Sequence, residues 1–206
     1  MRFVAWVALF APAAALSAQD WEAGASAGIG LVRGVFVSSA RAGFSNAPAF
    51  GAYLGQEVSR HVGGEVSYTF RPGDLRLNAG GSKVTFGGQS HLVHYDLLIY
   101  SAPTGAAIRP FLSGGGGVRL TRGTGQESAY QPLMEYALLT RTWQVQPLVN
   151  LGAGFKVRVS NRLHLRVEVR DFVSPFPSRV IAPAPGLKPG GWLHDIVPLA
   201  GLSCSF

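Results

Sequence analysis

The stretch Leu163-His164-Leu165-Arg166-Val167-Glu168-Val169-Arg170 alternates apolar and polar residues without a fault. A period of two places each set of side chains on its own face of an extended strand, here one apolar face and one charged face. Glu65-Val66-Ser67-Tyr68-Thr69-Phe70-Arg71 repeats the pattern. Further along, Val145, Val149, Leu151, Phe155, Val157 and Val159 share one parity, while Gln144, Gln146, Asn150, Lys156 and Arg158 share the other. No segment carries a convincing 3.6-residue stripe, and the density of glycine and proline opposes long helices.

Extending the alternation along the chain predicts eight strands: Trp21–Leu31, Ala49–Ser59, Gly64–Pro72, Gln89–Ser101, Arg109–Thr121, Trp143–Val159, Leu163–Val173 and Trp192–Phe206. Their connections alternate in length. Arg60–Gly63, Ala102–Ile108 and Ser160–Arg162 are short; Val32–Pro48, Gly73–Gly88, Arg122–Thr142 and Ser174–Gly191 are long. An up-and-down barrel with both termini at the short-turn end produces this asymmetry, and transmembrane barrels show it. Charged residues make up 14% of the 206, well below the roughly one quarter of a soluble domain. Mean hydropathy is +0.20. Outside the N-terminus no apolar run reaches the roughly 18 residues of a transmembrane helix. Polar residues are too few to solvate the outside of a soluble protein, and Gly114-Gly115-Gly116-Gly117 offers nothing to fill an apolar interior. The expected fold is therefore all-β: a membrane-spanning, up-and-down antiparallel β-barrel of eight strands, apolar face outward.

At the N-terminus, Met1-Arg2 precedes the apolar Phe3 to Leu16, and small residues end at Leu16-Ser17-Ala18. This reads as a secretory signal peptide over 1–18, cleaved after Ala18 with Ala15 as a second site, followed by a barrel domain over 19–206. The one cysteine, Cys204, excludes an intrachain disulfide framework and a Cys-rich zinc module.

With these features and the terminal Leu202-Ser203-Cys204-Ser205-Phe206, the chain resembles the small outer-membrane β-barrel family of the OmpA/OmpX type over Asp20 to Phe206. The resemblance implies the outer membrane of a Gram-negative-type bacterium, lipid and outer-leaflet glycolipid as neighbours, and Phe206 as a signal to the barrel insertion machinery. No peptidoglycan-binding segment follows the last strand, so cell-wall anchoring is not implied. A monomer is expected, without a cofactor or metal, and nucleic-acid binding is set aside because of the export signal.

Loss of Arg2 leaves 17 of the 18 basic residues against 11 acids. The excess falls on the long loops and their bases, where Arg33, Arg41, Arg71, Arg76, Lys83, Arg122, Arg141, Arg179 and Lys188 face only Asp74, Glu127 and Glu135. Given glycolipid neighbours, these nine are candidate phosphate contacts. Eight strands leave a lumen just wide enough for side chains to fill, so charges there need partners. Glu57, Glu65, Arg119, Arg166, Glu168 and Arg170 fall on the inward parity, joined by His94 and Asp96. They read as a salt-bridged plug; a narrow water channel lined by the same residues is the alternative.

Ser90-His91, His94 with Asp96, and His194-Asp195 are the only neighbours that hint at catalysis. Adjacent residues on a strand point to opposite faces, and no local motif enforces a nucleophile–base–acid chain. The leading reading is a non-enzymatic structural or surface-interaction protein; a porin-like channel and a lipid-modifying hydrolase are the alternatives. Pro198 predicts a bulge in the last strand. Five prolines in Ser174–Gly191 predict an extended, stiff loop.

Overall fold

A computed structural model describes residues 21–206. The signal segment expected at 1–18 lies outside the described residues. From the short-turn end, β1 (Trp21–Arg33) rises into the hairpin of β2 (Val35–Val37) and β3 (Ala40–Phe44), and β4 (Ala47–Ser59) descends. β5 (Val62–Arg71) rises into the hairpin of β6 (Leu75–Ala79) and β7 (Ser82–Phe86), and β8 (Gly88–Tyr100) returns. β9 (Ile108–Gly123) rises to β10 (Ala137–Leu139), and β11 (Trp143–Arg158) descends. β12 (Leu163–Ser174) rises to β13 (Ile181–Pro183) and β14 (Pro189–Gly190), and β15 (Leu193–Ser205) completes the circuit.

The eight long strands form one closed antiparallel barrel in the order β1-β15-β12-β11-β9-β8-β5-β4, with β4 paired back to β1. Each lies within two residues of its predicted bounds. At the seam, the Trp21 and Phe206 backbones exchange both hydrogen bonds, at 3.2 and 2.9 Å.

The apolar parity faces outward. Val66, Val93, Leu97, Leu112, Val149, Leu151, Val167, Val169 and Leu202 are all exposed on the wall, an arrangement that water penalises and a hydrocarbon layer accommodates. Trp21 and Phe206 mark the short-turn boundary, and Phe50, Trp143 and Trp192 the other. Phe172, near the same end, is fully buried in the lumen, because it shares the inward parity of Arg166, Glu168 and Arg170.

The bulge expected at Pro198 is absent. The β1–β15 ladder lapses between Gly28↔Leu199 and Leu31↔Ile196, but its register is the same on both sides. The missing N–H of proline falls at this lapse. Gly28 lets the backbones stay close, since a Cβ there would lie 1.9 Å from the Pro198 carbonyl oxygen. The bulge occurs instead in β4, between Glu57 and Ser59.

Three of the four long connections, expected as loops, contribute to a five-stranded sheet, β14-β2-β3-β6-β7, beside a two-stranded sheet, β10-β13. Together they cap the barrel around their own hydrophobic core, in which Val37, Ala40, Leu75, Leu77, Leu139, Val180 and Ile181 pack with Leu193 at the top of β15. The proline-rich segment, expected to be extended, supplies Phe176, Val180 and Ile181 to this core and pairs β13 with β10.

Candidate functional site

Inward parity gathers the polar residues into layers. At the short-turn end, Lys156 Nζ donates to Glu22 Oε2 at 2.5 Å, Tyr53 donates to Glu22 Oε1 at 3.0 Å, and Arg109 pairs with Glu57. Thr104 Oγ1 also donates to Glu57, at 2.5 Å. The Arg109 guanidinium lies 3.9 Å from the centre of the Tyr100 ring.

Above this lies the central network. Arg166 donates to Glu65 Oε2 at 2.6 Å and to Glu168 Oε2 at 2.9 Å. Arg170 reaches Glu168 Oε2 at 3.0 Å and also pairs with Glu65 and Asp96. Asp96 is held by His94 Nδ1 at 2.8 Å and by Asn150 Nδ2 at 2.7 Å. The glycine run makes room here. A Cβ on Gly115 would fall 2.3 Å from Asp96 Oδ1, and one on Gly117 would fall 2.8 Å from His94 Cβ.

An apolar layer of Ala49, Leu92, Leu148, Phe172, Val197 and Leu199 comes next. On top of it, Asp195 receives both Arg71 and Arg119, the latter at 2.8 Å, and Arg119 also donates to Ser174 at 3.0 Å. The interior cavities beside Glu65 and Arg166 and beside His94 and Arg170 measure about 10 Å³ each, at the lower limit of what one water needs. At the short-turn mouth a larger cavity of about 210 Å³ opens between Glu57, Arg109, Arg158 and His164.

All eight residues of the expected lumen network face the interior, but not as one cluster. Glu65, His94, Asp96, Arg166, Glu168 and Arg170 meet. Glu57, expected beside Glu65 as a partner of Arg166, keeps the inward parity of Tyr53 and Gly55, with its register unbroken up to Gly63, but lies nearer the short-turn end, where it pairs with Arg109 instead of joining the central network. Arg119 sits beyond the apolar layer. Sequence reasoning missed Glu22, Arg109, Lys156 and Asp195. The first three fall on the inward parity at strand ends, and Asp195 alternates with Val197 and Leu199 on a face that otherwise reads as apolar. Arg71, expected on the outer rim, is buried against Asp195; it continues the Glu65, Ser67, Thr69 parity inward. The lumen thus holds Glu22, Glu57, Glu65, Asp96, Glu168 and Asp195 against Arg71, Arg109, Arg119, Lys156, Arg166 and Arg170, a balanced set.

The other expected rim cations separate by position. Arg33 and Arg122 end wall strands and point outward, Arg122 beside exposed Trp143. Arg141 and Arg179 are exposed where the Thr140 and Thr142 hydroxyls both donate to the Arg179 carbonyl at 2.8 Å. Arg41, Arg76 and Lys83 lie on the five-stranded cap sheet, and Lys188 precedes β14.

Among the described residues no histidine completes a nucleophile–base–acid chain. His91 bonds Tyr68, His94 bonds Asp96 and Asn150, and His164 meets Ser205 at 3.3 Å without an acid. His194 turns outward to Asp171 at 2.8 Å, away from its chain neighbour Asp195. No group of three His, Cys, Asp or Glu side chains placed to hold a metal occurs among the described residues.

Solved structures share this architecture. The chain superposes on Neisserial surface protein A with a TM-score of 0.62 at 10% identity, over 91% of this chain and 97% of that one. It superposes on the outer membrane protein OprG from Pseudomonas aeruginosa with a TM-score of 0.57 at 14% identity, over 91% and 95%. The chain has the fold of the small eight-stranded outer-membrane β-barrels. No protein-family model matches the sequence, and no curated protein matches it. At this identity the likeness concerns the fold.

Proposed function

We propose that this protein is a non-enzymatic surface-interaction barrel of a Gram-negative-type outer membrane, exported through its N-terminal segment, closed through its lumen and capped outward. The observation that carries the reading is the interior: six carboxylates against six cations, stacked in ionic layers around an apolar layer. Ions crossing such a lumen would have to break buried pairs and enter a dry layer, and both steps are costly. Lipid and outer-leaflet glycolipid are the surrounding partners. Outward-pointing Arg33 and Arg122, at the barrel's upper edge, are placed to meet glycolipid phosphate, with exposed Arg141 and Arg179 beside them. Phe206, exposed at the seam, fits the role of insertion signal.

Planar-bilayer recording tests the closed lumen: the wild-type chain is expected to give no stable conductance, and a reproducible open channel overturns the reading. Lipid mass spectrometry after incubation with outer-membrane lipid tests the other half, because the appearance of deacylated product would make the protein a hydrolase.

A further inference from the structure

On the five-stranded cap sheet, register sets Phe36, Arg41, Asn78 and Lys83 side by side across four strands, through the pairs Phe36↔Arg41, Arg41↔Asn78 and Asn78↔Lys83. Opposed residues of antiparallel strands share a face. Their sequence neighbours Val35, Val37, Ala40, Ala42, Leu77 and Ala79 fill the cap core, so this row is on the other, solvent-facing side. Arg41 stacks over the Phe36 ring at 5.0 Å. Arg41 and Lys83 are separated by two strand spacings, about 10 Å. Among the described residues no carboxylate forms an ion pair with either cation. The row borders an open groove of about 430 Å³, completed by Ser39 and the Gly80-Gly81 turn.

We propose that this groove binds a soluble acidic polysaccharide. Two unpaired cations about two strand spacings apart match spaced anionic groups on an extended chain. Phe36 supplies a flat apolar face for a sugar ring, and Ser39 supplies a hydroxyl that can bond sugar hydroxyls. The row begins three residues beyond Arg33, roughly 10 Å further along the chain, so it stands above the wall positions facing the lipid phosphates. The inference rests on the outward orientation of the cap.

The test uses the full chain in phosphatidylcholine nanodiscs, with dextran sulfate and polygalacturonate as probes and neutral dextran as control. The expected result is binding of one or both polyanions and none of the neutral chain. Arg41→Gln with Lys83→Gln should raise Kd by about tenfold or more, and Phe36→Ala should weaken binding while leaving the charge unchanged. Arg60→Gln with Arg162→Gln removes the same charge from exposed positions at the short-turn end, away from the groove, and should change Kd by less than about twofold. Retention of heat-modifiable gel migration shows that each variant is folded. Equal weakening by the two double variants, absence of polyanion binding, or loss of binding when outer-leaflet glycolipid is placed in the discs would overturn the proposal. Nanodisc binding does not depend on orientation, so binding to discs without binding to intact cells would overturn the outward orientation instead.

Discussion

Glu168 accepts hydrogen bonds from both Arg166 and Arg170 while nearly buried. Removing it leaves two guanidinium groups sharing fewer carboxylates in a site water barely enters, a change that costs roughly 3–5 kcal/mol. Glu168→Ala is therefore expected to lower the denaturant midpoint or open a conductance, whereas exposed Arg179→Ala should do neither; identical midpoints and silent bilayers for both would show that the lumen charges are independently solvated. Asp195 supports a sharper comparison. It is the only carboxylate that Arg71 and Arg119 pair with among the described residues, and it is fully buried. Asp171, which hydrogen-bonds His194, faces outward and is more than a third exposed. Urea titration should find Asp195→Asn strongly destabilising and Asp171→Asn nearly neutral, as expected for an exposed pair worth about 0–1 kcal/mol. Most residues of the network were legible from parity. Arg71 was legible in principle, by continuation of the Glu65 parity, but its place beside Pro72 at a strand end read as rim. The partner of Glu57 was not legible, because parity shows that a side chain faces the lumen but not which cation of another strand, here Arg109 of β9, lies at its height.

The wall strands were legible because one face must be apolar throughout, and any slip by one residue would turn polar groups into the hydrocarbon. The cap strands were not, although part of the signal was present. Gly80 and Gly81, with φ of +54° and +82°, form a two-residue turn between Ala79 and Ser82. Two consecutive positive-φ residues suit the twist of a tight hairpin, and glycine takes that conformation without strain. Flanking Leu75, Leu77, Val84 and Phe86 alternate correctly for a strand pair. β2, β10, β13 and β14, at two or three residues each, are too short for periodicity to reveal. They are ordered by the shared core rather than by local propensity. The cap should therefore fail separately from the barrel. Leu77→Asp places an unpaired charge at a fully buried cap position. Limited proteolysis should then cut within 75–86 much faster than in wild type, while heat-modifiable migration of the barrel persists. Coincident loss of both would mean that cap and barrel form one cooperative unit.

At the scale of the molecule, closure of the sheet is what turns a set of amphipathic strands into a stable object. Every wall strand has two neighbours, so no backbone edge of the barrel is left for lipid to meet. A folded barrel of this kind should migrate differently on a denaturing gel before and after boiling, and should protect its strands from protease in vesicles; purification as a water-soluble monomer without detergent would contradict the fold. Sequence alone was sufficient for the number of wall strands, their bounds, the short-turn and long-connection ends, and the location of the charge excess, because these follow from period-two alternation and from counting. Tertiary structure decided which carboxylate meets which cation, the apolar layer that separates Arg119 and Asp195 from the central network, and the folding of the four long connections into a cap with a basic outer face. Ion pairing across a lumen depends on strand stagger and bulges, and packing of short strands depends on contacts between segments more than 100 residues apart, such as β2 with β14. Neither leaves a periodic trace along the chain, so both appear only when the barrel is closed.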